Sequence, residues 1–224
     1  MTELAINQSN RRWPVARIIC IGRNYREHAR EMGHDPERST PFFFFKPASA
    51  LLSEGEPFCC PWFSQEVHHE LELVIAIDQT LSAASKQQAR DAVCGFAVGL
   101  DMTCRDRQRE AKAQGRPWEL AKGFDGSAPC SALQLGRYQD LESTDQLHLR
   151  VNDKLVQQGS WRDMIWPVPE LLAEISRYVQ LTPGDLIFTG TPAGVGPVQP
   201  GDVMHATLDD VCQLEVSVVA QAAP

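Results

Sequence analysis

The stretch Glu70-Leu71-Glu72-Leu73-Val74-Ile75-Ala76-Ile77 decides how this chain is read. Free of Gly and Pro and rich in apolar residues, it predicts a strand. A period of two puts Leu71, Leu73, Ile75 and Ile77 on one face and Glu70, Glu72, Val74 and Ala76 on the other. Both faces carry apolar residues, so both are expected to be at least partly covered. Two carboxylates then lie about 7 Å apart on a face that continues as Val and Ala, where they repel each other and lose hydration. Either one of them protonates or a cation lies between them, and a metal resolves the conflict most simply. Asp101, placed where the apolar run Val93–Leu100 stops, is the natural third oxygen ligand. An all-carboxylate set favours Mg²⁺ or Mn²⁺ over Zn²⁺ and leaves positions for water and a chelating substrate. Two alternatives stand beside this one. An isolated Glu-x-Glu is commonly the solvated side of an edge strand. His68 shares the face, so one His with two carboxylates would suit zinc or iron. His69 faces the other way and is expected to be structural.

Outward from that strand, Val15–Ile21 predicts another, closed by Gly22. Asn24 is placed to cap a short helix through Glu31 that ends at Gly33, on which His28 and Glu31, three apart, share a face. Phe42–Phe45 is an aromatic strand stopped by Lys46-Pro47, and Ser82–Val93 has helical composition. Thr103–Gln114 is so charged that it is expected to be an exposed helix or a mobile flap, with Gly115 as its stop. Leu147–Val156 predicts a hairpin turning at Asn152-Asp153. Pro169–Gln180 carries Leu171, Leu172, Ile175 and Val179 at the spacing of one buried helical face. Pro-Gly-Asp turns at 183–185 and 200–202 lead into Leu186–Thr189 and Val203–Leu208, and Cys212–Val219 alternates as a last strand. The pattern gives a mixed α/β class whose second half is mostly β, with residues 1–14 as a flexible N-terminal arm and 15–224 as a single domain.

Composition narrows the function classes. With 43% hydrophobic and 22% charged residues among 224, the chain is neither disordered, collagenous nor a coiled coil. Its 21 Lys and Arg against 29 Asp and Glu leave a charge of −8, and no basic cluster exceeds Arg11-Arg12. Nucleic acid and anionic membrane surfaces are therefore not expected partners. No stretch approaches the roughly 20 apolar residues of a membrane helix, and Met1–Arg12 lacks the apolar core of a secretory signal. A soluble, cytoplasmic protein is expected. Seven cysteines, an odd number without a Cys-x-x-Cys pair, fit neither a disulfide framework nor a zinc cage and predict small buried hydrophobes in a reducing cytosol.

In chain order stand Gly22-Arg23-Asn24-Tyr25 with His28 and Glu31, then His69-Glu70-Leu71-Glu72, then Gly99-Leu100-Asp101-Met102-Thr103 with Arg105 and Gln108. Lys122-Gly123-Phe124-Asp125 and Thr189-Gly190-Thr191-Pro192-Ala193-Gly194-Val195-Gly196 follow. Together these resemble the fumarylacetoacetate hydrolase family over roughly residues 15 to 219, closest to its short single-domain branch acting on acylpyruvates and oxaloacetate. The resemblance implies a β-roll like that family's C-terminal domain, with few helices, in a homodimer. It implies Mg²⁺, with Mn²⁺ as the alternative, held by Glu70, Glu72 and Asp101. It also implies a short lid helix bearing the dyad His28 and Glu31, with Lys122 as the third catalytic group. Arg105, Gln108 and Thr191, together with Lys122, would hold the carboxylate and keto oxygens of a small 2-oxoacid substrate.

The activity so implied is Mg-dependent hydrolysis of a carbon–carbon bond in acylpyruvates, giving pyruvate and a carboxylic acid. Oxaloacetate decarboxylation or keto-enol tautomerisation on the same metal site is the alternative, and a catalytically silent metal-stabilised scaffold ranks third. Taken singly, His28, Glu31 and Lys122 are ordinary surface residues, and Arg105, Arg107, Arg109 and Lys112 a solvated face, as Arg107 and Arg109 are expected to remain. Thr189–Gly196 has neither phosphate-loop spacing and is read as a substrate-shaping turn. Phe42–Phe45 is expected to be core and dimer contact rather than a ligand platform.

Overall fold

The computed structural model describes residues 2–31, 33 and 38–222. Strands are numbered β1–β18 and helices α1–α6 along the chain. The decisive stretch is β8 (Leu71–Ile77), buried along its whole length between β15 (Asp185–Phe188) and β9 (Val93–Leu100), both antiparallel to it. Leu71, Leu73, Ile75 and Ile77 enter one apolar cluster, while Val74 and Ala76 enter a second on the opposite face. The period of two in the sequence is thus a strand covered on both sides. β3 (Arg17–Gly22) runs parallel to β15, and β4 (Phe42–Lys46) ends the sheet on that side. Beyond β9 lie β11 (Ala128–Cys130) and the parallel β5 (Leu51–Ser53), with β12 (Gln134–Leu135) pairing β9 to complete eight strands.

A second sheet of five has the order β14 (Lys154–Ser160), β13 (Gln146–Val151), β17 (Val203–Leu208), β18 (Cys212–Ala220) and β6 (Phe58–Cys60). Its alternation is one-sided: Leu214, Val216 and Val218 are buried while Gln213, Glu215 and Ser217 are exposed. The buried side joins Leu71, Leu73 and Ile75 in the main core, which lies between the two sheets. The β13–β14 hairpin turns at Asn152 (φ 48°) and Asp153 (φ 64°), the left-handed pair that matches strand twist. α2 (Lys86–Ala92), capped by Ser85 in a capping box with Gln88, packs with α6 (Val168–Ile175) over the same core.

The third sheet, β10 (Thr103–Cys104), β7 (Val67–His69) and β16 (Gly196–Val198), carries the chain into the site. α1 (Arg26–Glu31), α3 (Arg105–Gln114), α4 (Glu119–Lys122) and α5 (Tyr138–Leu141) complete a mixed, β-rich fold with few helices, as expected. Among the described residues no helix is long and apolar enough to cross a membrane.

Three expectations need correction. The flexible arm assigned to residues 1–14 is instead a docked hairpin, in which β1 (Glu3–Ala5) pairs with β2 (Arg12–Pro14). Leu4 (1% exposed) and Ile6 are buried two apart, a strand period hidden among polar neighbours, and Leu133 N donates to Ala5 O at 2.8 Å. Asn24 does not cap α1; its amide donates to Thr189 O (2.8 Å) and accepts from Trp166 N (2.8 Å). The helix expected over Pro169–Gln180 runs only from Val168 to Ile175. It ends where the Ser176 hydroxyl turns to receive Ala84 N at 2.9 Å, tying the helix end to the loop before α2.

The docked hairpin has a measurable consequence. Leu4→Ala should lower the unfolding free energy by about 2 kcal/mol in urea titrations, the lower end for a buried Leu→Ala change, whereas a loose arm would leave it unaltered.

Candidate functional site

Backbone pairing assembles the carboxylates. β8 and β9 align Leu71 with Leu100 and Glu72 with Gly99, and Asp101 N donates to Glu70 O at 2.8 Å. Glu70 occupies the break between β7 and β8, where the chain passes from one sheet to the next, and Asp101 follows the end of β9. Carboxylate oxygens of Glu70, Glu72 and Asp101, all buried, come within 4.8 Å of one another. Beside Glu72 in the register, Gly99 lets Phe188 and Val74 pack closely: a Cβ there would stand 2.7 Å from Phe188 and 2.8 Å from Val74.

Three cations meet this cluster. Lys122 Nζ donates to Glu70 Oε2 (2.9 Å) and Asp101 Oδ2 (2.6 Å), and Arg105 Nη2 donates to Glu70 Oε1 (2.5 Å). Lys46, fully buried, stands 2.8 Å from Asp101 Oδ1. Burial opposes ionisation of Glu70, but Lys122 and Arg105 outweigh it and hold that carboxyl below the usual range. Burial would likewise lower Lys122, yet Asp101 and Glu70 raise it above an ordinary lysine. Glu72 is the exception: burial, then the charges of Asp101 and Glu70, push it well above its ordinary value, against one hydrogen bond from Gly190 N (2.8 Å).

The donor set fits a hard divalent cation. It offers only carboxylate oxygens, and Glu72 has no cationic partner forming a salt bridge among the described residues. Asp101 Oδ1 accepts no hydrogen bond, because the Lys46 ion pair lacks hydrogen-bond angles.

Of the nine residues that the family resemblance assigned to the site, all except Glu31 line one cavity: His28, Glu70, Glu72, Asp101, Arg105, Gln108, Lys122 and Thr191. Glu31 stands behind His28, with Oε2 3.3 Å from His28 Nδ1, and also receives Gly194 N at 3.3 Å. Arg105 and Gln108, one helical turn apart on α3, are buried and joined by a 2.7 Å hydrogen bond, so this charged helix turns one side inward. Arg107 and Arg109 pair with Glu110 and Glu66 on its outer side. Phe42, Phe44 and Trp118 form the aromatic wall, with Trp118 5.3 Å from Phe42 and 5.9 Å from Phe44. Phe42 and Phe44 therefore line the cavity, which corrects the expectation that Phe42–Phe45 is core and dimer contact only.

His68 is not brought to the carboxylate cluster. It lies on β7, in a different sheet, and pairs with Glu66 at 3.1 Å, which removes the His-plus-two-carboxylates alternative. His69 is structural as expected, its Nδ1 2.9 Å from Gln157 Oε1.

Lys46 is the residue that sequence reasoning missed, having been read only as a strand stop. Its ammonium donates to Ser127 O and Oγ (both 3.0 Å) and to the carbonyl of Lys122, while facing Asp101. The available signal was its place two residues from Phe44, on the inward side of an apolar strand, where a lysine must find a counter-charge.

Two substitutions should act in opposite senses. Lys46→Met should cost about 3 kcal/mol of stability in urea titrations, because it leaves Asp101 short of a buried partner. Glu72→Gln should raise the stability of the metal-free protein by relieving like-charge repulsion, while Mn²⁺ affinity measured by calorimetry falls by about 10-fold or more.

Known proteins resemble this chain over nearly its whole length. The family model for the fumarylacetoacetate (FAA) hydrolase C-terminal region matches residues 17–219. Oxaloacetate tautomerase FAHD1, mitochondrial, of Bos taurus is 40% identical over 201 residues, covering 90% of each chain. Oxaloacetate tautomerase YcgM of Escherichia coli (strain K12) is 41% identical over 199 residues, covering 88% of this chain and 90% of its own. The crystal structure of fumarylpyruvate hydrolase from Pseudomonas aeruginosa, in complex with Mn²⁺ and pyruvate, superimposes with a TM-score of 0.91 at 42% identity, covering 98% of this chain and 96% of that one. The family match over residues 17–219, the relatives' identity and the shared fold establish that this chain belongs to the fumarylacetoacetate hydrolase family.

Proposed function

We propose that this protein is a divalent-metal-dependent hydrolase, using Mg²⁺, that cleaves acylpyruvates to pyruvate and a carboxylic acid. The observation that carries the reading is the His28–Glu31 pair opening on the same cavity as three buried carboxylates and the Arg105–Gln108 pair. A base facing a carboxylate cluster and an anion-binding guanidinium is what hydration of a 2-oxoacid's distal carbonyl requires. A cation held by Glu70, Glu72 and Asp101 would supply Lewis acidity toward the 2-oxoacid.

The chain's own residues supply the rest. Arg105 and Gln108 receive the substrate carboxylate, and Thr191 a keto oxygen. Glu31, accepting from His28 Nδ1–H, leaves Nε2 as the free lone pair and holds the ring in place. Nε2 takes a proton from the water whose oxygen bonds to the distal carbonyl carbon. The bond from that carbon to the methylene then breaks, its electron pair passing into the enolate of pyruvate, which is protonated at carbon. Lys122, buried and held in its charged form by its two carboxylate partners, faces that developing negative charge.

The rim also suits an anion. Arg23 and Lys112 line the cavity and form no salt bridge among the described residues. Burial, then repulsion by Arg105, Arg23 and Lys122, lowers the Lys112 pKa, and its ammonium lies over the Trp118 ring at 5.1 Å. In this reading the exposed rings of Phe45 and Tyr178 belong to a surface covered by a second copy in a homodimer.

A second reading, oxaloacetate tautomerisation, is favoured by the names of the bovine and E. coli relatives, and decarboxylation would pass through the same enolate. It needs the proton shuttle and no attacking water. Turnover of acetylpyruvate, fumarylpyruvate and oxaloacetate with Mg²⁺ separates the cases. The hydrolase reading expects pyruvate from the first two, and absence of pyruvate from all three leaves tautomerisation alone. His28→Ala should lower kcat by about 10²–10⁴-fold while Mn²⁺ affinity stays within about 3-fold, whereas a silent scaffold would show no turnover to lose.

A further inference from the structure

Gln157, on β14, is 1% exposed and uses every hydrogen-bonding position of its amide. Oε1 accepts from Leu71 N (3.0 Å) and faces His69 Nδ1 (2.9 Å). Nε2 donates to Pro192 O (2.9 Å) and to Thr191 Oγ1 (2.8 Å). Its orientation is not ambiguous: Leu71 N can only donate and Pro192 O can only accept, so the amide cannot be turned over. One side chain therefore grips the residues on both sides of Glu70 and, with its other end, the turn that carries Thr191.

The consequence lies at the hydroxyl. Thr191 Oγ1 accepts from Gln157, so its own proton must point elsewhere. Its other neighbour, Pro192 O, is 3.4 Å away, beyond the ordinary O–H···O range, and already receives Gln157 Nε2. Thr191 lines the cavity. We infer that Gln157 is a positioning residue that sets the Thr191 hydroxyl as a hydrogen-bond donor toward the 2-oxoacid and fixes its turn against the Glu70 strand. The inference rests on the functional reading above, in which Thr191 meets a keto oxygen.

The test is a double-mutant cycle on oxalate affinity at saturating Mn²⁺, measured by calorimetry on the whole chain together with Mn²⁺ affinity. In Gln157→Glu the carboxylate still accepts from Leu71 and His69 but cannot donate, so Thr191 must turn its proton toward residue 157 and away from oxalate. Gln157→Glu and Thr191→Val should each weaken oxalate by about 10-fold, one hydrogen bond's worth, and the double variant should be no weaker than the poorer single one. Mn²⁺ affinity should stay within about 3-fold of wild type.

Unchanged oxalate affinity in Gln157→Glu overturns the inference, as do effects that multiply to about 100-fold. Mn²⁺ and oxalate affinities falling together would mark a merely structural role and overturn it as well. Where Gln157→Glu does not fold, Gln157→Met replaces it in the cycle, and non-additivity with Thr191→Val alone is read. Wild-type protein that takes up Mn²⁺ but no oxalate would overturn the functional reading itself, and the inference with it.

Discussion

Three buried carboxylates crowd together at the break between two sheets, and the surrounding structure is arranged to make that tolerable. Glu70, Glu72 and Asp101 are each buried to within 6% exposure, so their charges have to be met by protein groups or by a bound cation. Lys122, Arg105 and Lys46 supply three positive groups, from α4, α3 and β4. Because Lys46 also donates to the carbonyl of Lys122, and Lys122 joins Glu70 to Asp101, the site is a connected network and not a set of independent pairs. Removing one member leaves a buried charge uncompensated, which costs far more than a surface ion pair is worth.

The network needs a rigid frame, and the two sheets provide it by different means. β8 is apolar on both faces and cannot slip in register without driving Glu72 into the main core. The five-stranded sheet is apolar on one face only, and it brings Gln157 to the seam between β7 and β8. Close backbone approach completes the frame at Gly190 (φ 104°), where a Cβ would stand 2.7 Å from the Asn24 Cβ. Asn24 in turn ties the turn after β15 to the segment before α6, and so seats the base of α1, the helix that carries His28. The His28–Glu31 pair is placed by contacts made well outside it.

Much of this was legible in the residues. The alternation in Glu70–Ile77 gave the strand, its two covered faces and the electrostatic conflict between Glu70 and Glu72. The abrupt end of Val93–Leu100 pointed to Asp101 because an apolar strand that stops at an acid has to place that acid somewhere. What escaped was long-range. Lys46, Gln157 and Asn24 have partners 55 or more residues away in the chain, as the Lys46–Asp101 pair shows, and no local period marks such contacts. The N-terminal strand escaped for another reason. Leu4 and Ile6 are two apolar positions among polar ones, too few to outweigh a loop reading until Leu133 is seen beside them.

The sequence by itself determined what each segment could be: which strands have two apolar faces, which turns need left-handed residues, and which acids could not stay near each other without a proton or a cation. Those follow from side-chain periodicity and local sterics, which act over a few residues. Only the tertiary structure decided who meets whom. It set His68 apart from the carboxylates by putting it on another sheet, turned Arg105 and Gln108 inward, and gave Asp101 its buried lysine. The reason is physical: counter-charges and hydrogen-bond partners are chosen by distance in space, and burial makes that choice costly to change.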